Sequence, residues 1–287
     1  MVVAAALGAV VTALCYGIGA VLQAVAMREG APGESLDARL VVRMLSQLPY
    51  LVGLALDGLG FLASLLALRH LPLFLVQAAV AGSVGITALL AARFLGVPLG
   101  RVQWVALVAL GAGVVLLAIS AEPGDAASLS RPGQWAVLIG VAPLTVLGVL
   151  GARPGRGAAA LMGVISGAAF GGVGIAARAL PVSGAWWRLA GQPLTYAVLG
   201  YGVLGTIMFA AGLERGSVTV VVAMMFAVET VVPAGVGLAV LGDTARSGLA
   251  AVAVLGFLVT VGAALMLAGF AQPAESRKAA AGAAQGR

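Results

Sequence analysis

Residues 217–241, SVTVVVAMMFAVETVVPAGVGLAVL, hold a single charged side chain, Glu229, in an otherwise apolar run. An apolar run of about 18 residues or more is long enough to cross a hydrocarbon core about 30 Å thick as a helix. A charge at that depth costs about 2.5–3.5 kcal/mol even on the lenient insertion scale, so such residues mark pathways more often than packing. The run therefore points to a membrane, and its glutamate to traffic through it.

Working outward, eight further runs of the same kind lie at 2–26, 48–68, 72–94, 102–120, 134–152, 157–178, 193–213 and 248–270. Asp57, in the second, is the other carboxylate near the middle of a span. The expected fold is an all-α polytopic membrane protein of about nine transmembrane helices. Residues 36–47 and 182–192 could each be an interfacial helix or a truncated further span, which leaves nine or ten.

Composition agrees. The chain is 62% hydrophobic and 9% charged, with a mean hydropathy of +1.12, whereas soluble domains are about 25% charged. A net charge of +6 comes from 16 Lys and Arg scattered at segment ends. That pattern suits loops that orient helices and excludes a nucleic-acid surface. Cys15 is alone inside the first run, so no intrachain disulfide is expected. The N-terminus lacks a basic leader and reads as a retained first span. Abundant Ala, Gly and Arg suggest a bacterial source and hence the cytoplasmic (inner) membrane.

Arginine placement orients the spans. With the N-terminus outside, Arg28, Arg39, Arg43, Arg93, Arg101, Arg153, Arg156, Arg215, Arg277, Lys278 and Arg287 are cytoplasmic. Arg69, Arg131, Arg178, Arg188 and Arg246 lie opposite. N-terminus out and C-terminus in is the expectation.

The halves also resemble each other. Tyr16-Gly17-Ile18-Gly19 falls against Gly171-Gly172-Val173-Gly174, and Gln23 against Arg178. Pro49, Gly58 and Leu68 match Pro193, Gly202 and Leu213. Phe94-Leu95-Gly96 matches Val240-Leu241-Gly242, and Leu110-Gly111 matches Leu255-Gly256. Residues 1–120 form the first four-span repeat, and 121–156 a linker (AEPGDAASLSRPG at 121–133) with a connecting span. Residues 157–271 form the second repeat, and 272–287 a disordered cytoplasmic tail. Five crossings separate equivalent helices, so the repeats are inverted, the arrangement with which secondary transporters build a midplane site.

Pro233 follows Glu229 by four residues and cannot donate to its carbonyl. One turn thus offers a freed carbonyl, a carboxylate and the Thr230 hydroxyl. Such hard oxygens suit a cation, and a carboxyl in so apolar a medium readily holds a proton. Gly53, Asp57, Phe61 and Ser64 share a face of span two, where Arg178 or Arg188 could match the Asp57 charge. Gln77 and Gln23 are weaker candidates, since amides often serve only to join helices. Tyr16, Tyr196 and Tyr201 could line a cavity, with interfacial anchoring the other reading for Tyr196. If the substrate is a cation, Glu229 and Asp57 are its metal ligands. Gly163, Gly167 and Gly171 read as a helix-packing face. Trp104, Trp135, Trp186 and Trp187 read as an aromatic belt, and His70 as a surface residue. No catalytic or cofactor motif is present, so neither enzyme activity nor a cofactor is expected.

Leu68 to Gln77 (LRHLPLFLVQ), Phe94-Leu95-Gly96 and Arg101, repeated as Leu213-Glu-Arg-Gly-Ser-Val-Thr219, Glu229-Thr-Val-Val-Pro233 and Leu241-Gly242-Asp243, resemble the drug/metabolite transporter (DMT) superfamily, with its EamA-like members. Nine spans, the Gly17 to Gln23 ending of span one, and Gly53, Gly60 and Pro72 are similar to the NIPA-like group, whose members are associated with magnesium transport. The resemblance implies a DMT-transporter fold. This chain departs from the group in carrying Phe61 and Ser64 where an acid and an Asn are usual, and Ala24 and Ala78 where a Lys and a Pro are usual. Asp57 could stand in for the acid. Asp243 reads as a contact of a helix-terminal loop.

The leading function is a secondary transporter moving a small solute or cation, magnesium or another divalent ion among them, by alternating access. A proton-coupled exporter of small metabolites or drugs is the alternative within transport. A non-transporting membrane scaffold is the alternative outside it. Expected partners are the lipid bilayer, the solute or cation, protons and, as an open option, a second copy in a homodimer.

Overall fold

In the computed structural model, residues 2–28, 47–96, 98–125, 128–151, 157–181, 186–215 and 218–270 are described. They form α1 (Val2–Arg28), α2 (Leu48–Ala67), α3 (Leu73–Phe94), α4 (Arg101–Ser120), α5 (Arg131–Ile139), α6 (Val141–Gly151), α7 (Ala158–Ala179), α8 (Pro193–Arg215), α9 (Val218–Ala239) and α10 (Ala250–Phe270). With α5 and α6 taken as one span, nine helices among the described residues are long and apolar enough to cross a membrane. Their flanks carry large apolar side chains that no aqueous surface would tolerate, such as Leu62, Val108 and Leu258. The chain is a multi-pass membrane protein.

Helix limits follow the apolar runs to within a turn, and the departures have local causes. The fifth span starts at Arg131 because Ser130 caps it, its hydroxyl accepting from the Gly133 amide, with Pro132 in the first turn. It divides after Ile139 because Pro143, four residues on, has no N–H for the Ile139 carbonyl. Of the two ambiguous segments, residues 186–191 form a short 3-10 turn, Trp186–Gly191, and not a span. Residues 36–46 and the 272–287 tail lie outside the described residues.

Lipid removes the hydrophobic drive between helices, so close packing falls to small residues and interhelical hydrogen bonds. The α7 glycine face is used as read from the sequence, against α9. A methyl group on Gly163 would lie 2.6 Å from the Val221 carbonyl oxygen, and one on Gly167 would strike the Met225 carbonyl. In the first half α1 packs on α2 and α3; in the second, α7 packs on α8 and α9. The Thr12 hydroxyl spans α1 and α2 by reaching the Gly60 carbonyl (3.1 Å). The Ser166 hydroxyl spans α7 and α8 by donating to the Gly205 carbonyl (2.9 Å).

The halves meet where α4 crosses α10 and where α3 lies against α9 and α10. Gly113 and Gly256 mark the first crossing. A methyl group on either would lie 2.9 or 3.1 Å from the other's carbonyl oxygen. The fifth span packs on α7 and α8 alone of the helix pairs with substantial contact. A two-residue antiparallel bridge joins β1 (Ala121–Glu122), which follows α4, to β2 (Thr244–Ala245), which precedes α10.

Candidate functional site

Asp57 sits where α2 and α1 come closest. A methyl group on Gly19 would lie 2.7 Å from Asp57 Oδ1, and one on Gly53 would lie 2.8 Å from Gln23 Cγ. Only glycines leave room for the two polar side chains to meet. The Gln23 amide nitrogen donates to Asp57 Oδ2 at 2.6 Å. Asp57 is therefore matched by an amide, not by Arg178 or Arg188. Arg188 is exposed on the 3-10 turn, and Arg178 is engaged elsewhere.

Along the same face the Tyr16 ring lies across Gly60, on which a methyl would come within 3.0 Å of ring carbons. The Tyr16 phenol stands beside Ser64 and within electrostatic reach of both Glu229 and Asp57. The two carboxylates, on α9 and α2, thus both act electrostatically on one phenol of α1. Ser64 is buried and its hydroxyl donates to the Phe61 carbonyl (2.7 Å). Glu229 is part-buried, and no hydrogen bond or ion pair to its side chain occurs among the described residues.

Pro233 is fully buried inside α9 against Gly171, and the Glu229 carbonyl it releases faces Gly171 at 3.6 Å from where a methyl would stand. The Thr230 hydroxyl donates back to the Phe226 carbonyl (2.7 Å), so its proton is committed to its own helix. Gln77 is buried on α3, its amide nitrogen 3.0 Å from where a methyl on Gly174 of α7 would lie. Tyr201 stands apart from the carboxylates. Its ring packs on Gly172 and its hydroxyl donates to the Val137 carbonyl (2.9 Å), which fastens α5 to α8. The Tyr196 hydroxyl donates to the Ala190 carbonyl (2.7 Å) at the end of its span, as an anchor does.

The strongest polar assembly was only half legible. Asp243, read as a loop contact, is fully buried in an ion pair with Arg178 at 2.7 Å. Gly242, at φ +72°, turns the chain out of α9 in the left-handed region that suits glycine. That turn aims Asp243 inward, where its second oxygen accepts from the Leu73 amide at the start of α3 (2.6 Å). Arg178 also donates to the Leu68 carbonyl (2.5 Å) and the Gly124 carbonyl (3.0 Å). The available signal was Arg178 itself, a guanidinium at the last residue of an apolar run. His70 pairs with Asp125 (2.7 Å) on the exposed side of the same end.

No group of three or more His, Cys, Asp or Glu able to hold a metal occurs among the described residues. A separate groove of about 680 Å³, apolar and lined by residues such as Leu75, Ile86, Trp104 and Leu107, runs along the outer flank between α1, α3 and α4. It contains neither carboxylate. Compared with protein-family models, curated proteins and solved structures, the chain matches none.

Proposed function

We propose that this protein is a secondary transporter that carries a small cation or proton-linked solute through the seam between two inverted four-helix units. The observation that carries this reading is Glu229. A carboxylate near the middle of a spanning helix, with no protein partner among the described residues, is costly unless it exchanges a proton or a bound cation. Asp57 on the opposite half, which with Glu229 acts electrostatically on the Tyr16 phenol, is the second anionic group of the proposed pathway.

The inverted repeat is supported by matched contacts. Thr12 reaches Gly60 as Ser166 reaches Gly205. The Tyr16 ring covers Gly60 as the Phe170 ring covers Gly205. These pairs favour a register that sets Phe170, not Gly171, against Tyr16, one residue from the sequence alignment. In the α4–α10 crossing they favour Gly113 against Gly256, two residues from it. On the register that sets Phe94 against Val240, Ser83 takes the place of Glu229 in the first half, so the charge is not repeated. This pattern, with the quoted resemblance to the DMT superfamily, favours alternating access over a scaffold. The arginine distribution favours an N-terminus outside and a C-terminus in the cytoplasm of a bacterial inner membrane.

The test is magnesium and proton flux into proteoliposomes, wild type against Glu229→Gln. Wild-type flux for either ion, reduced to background in the variant at unchanged folding and yield, is the expected result. A variant that loses its fold instead would make Glu229 structural and remove the main support for transport.

A further inference from the structure

Arg178 and Asp243 do more than satisfy one another. The guanidinium and its carboxylate join the ends of α7, α2 and α9, the start of α3 and the segment after β1. All three guanidinium nitrogens are engaged, on Asp243 Oδ1 and on the Leu68 and Gly124 carbonyls. The other carboxylate oxygen is held by the Leu73 amide. Leu68 and Leu73 belong to the first half and Gly124 to the linker that follows it, whereas Arg178 and Asp243 belong to the second. The assembly is a strap across the seam at one end of the bundle. Gln77 and Gly174 meet one helical turn beneath it, and Gly171, Pro233 and Glu229 follow further in.

Among the described residues of the opposite end, no ion pair of this kind occurs. On the repeat register Gln23 and Ala24 take the place of Arg178, and Val97 takes that of Asp243. Neither charge is duplicated. The strap is therefore a feature of the second half's own sequence and is not repeated at the matching positions of the first.

We propose that the Arg178–Asp243 pair is the gate lock of this end: it holds the mouth of the seam shut, and the end opens only when the pair separates from its carbonyl and amide partners. This rests on the alternating-access reading, yet its test does not need transport. A single cysteine is placed at Gln77 in a Cys15→Ala background, and labelling by a membrane-impermeant thiol reagent added at the lock side is timed. Labelling is expected to be slow in the parent. It is expected to rise about tenfold or more in Asp243→Asn, the change that a decade's shift in the open population produces.

Asp243→Asn leaves a buried guanidinium unpaired and is prone to misfold. The double variant Arg178→Gln/Asp243→Asn carries no orphan charge and is expected to give the same rise. Ala169→Cys, fully buried in the α7 core, serves as the control and is expected to stay slow. An unchanged rate at Gln77→Cys in a folded double variant overturns the lock, as does an equal rise at Ala169→Cys, which would mean general loosening. Flux measured in parallel keeps the two readings apart. A wild type without flux whose labelling responds as expected retains the lock and loses the transport reading.

Discussion

At the scale of single residues, the Gln23 amide is Asp57's side-chain partner among the described residues, at 2.6 Å. Removing one member of a buried polar pair strands the other at a cost of about 1–3 kcal/mol, whereas removing both is close to neutral. Gln23→Leu is therefore expected to destabilise the folded protein by about that much, and Gln23→Leu/Asp57→Leu to recover most of the loss. Denaturant titration in detergent micelles checks both; a double variant as unstable as the single one would mean that Asp57 is held by something else. Legibility at this scale was uneven. Glu229 and Asp57 stood out because charge inside an apolar run is rare. Their surroundings did not, because Gln23 finds Asp57 only through the close approach of Gly19 and Gly53, two glycines on different helices. The Thr230 and Tyr201 hydroxyls donate to the Phe226 and Val137 carbonyls, partners that no local motif announces, and the Thr230 oxygen keeps lone pairs for a cation.

At the scale of elements, each spanning helix could be read from its apolar run, since hydrocarbon leaves the backbone no other way to satisfy itself. What local sequence missed was how proline acts at two depths. Pro143 splits the fifth span after Ile139, while Pro233 lies within an unbroken α9. The difference lies in the neighbours. Pro233 is buried against Gly171, whereas the fifth span packs only along one flank. Pro233→Ala is expected to restore the N–H for the Glu229 carbonyl and weaken cation binding while the helix content is retained. Isothermal titration with magnesium beside circular dichroism reads both. Unchanged affinity would take the carbonyl out of the site and leave the Glu229 carboxylate in it.

At the scale of the whole molecule, the nine spans among the described residues, if they are all, lead to the expectation that the two termini lie on opposite sides. Alkaline phosphatase fused after Asp125, following four spans, is expected to be active outside the cell, and a fluorescent protein fused after Arg287 to glow inside. An inactive phosphatase would reverse the orientation and move the Arg178 end to the cytoplasm. The proposed repeat rests in sequence on a nearly constant offset, fixed only to within one or two residues, because Gly- and Ala-rich helices align in several registers. The contacts of Thr12 with Gly60 and Ser166 with Gly205 narrow it, since a hydroxyl must find one particular carbonyl. The order of assembly was not visible at all. Arg178 leaves the ribosome 65 residues before Asp243, an interval on the order of 3–13 s at about 5–20 residues per second. Through that interval its guanidinium lacks the carboxylate with which it pairs in the folded protein. The final seating of α7 is therefore postponed until α9 and the turn beyond it have been made, so this protein completes its fold late, from the second half backward.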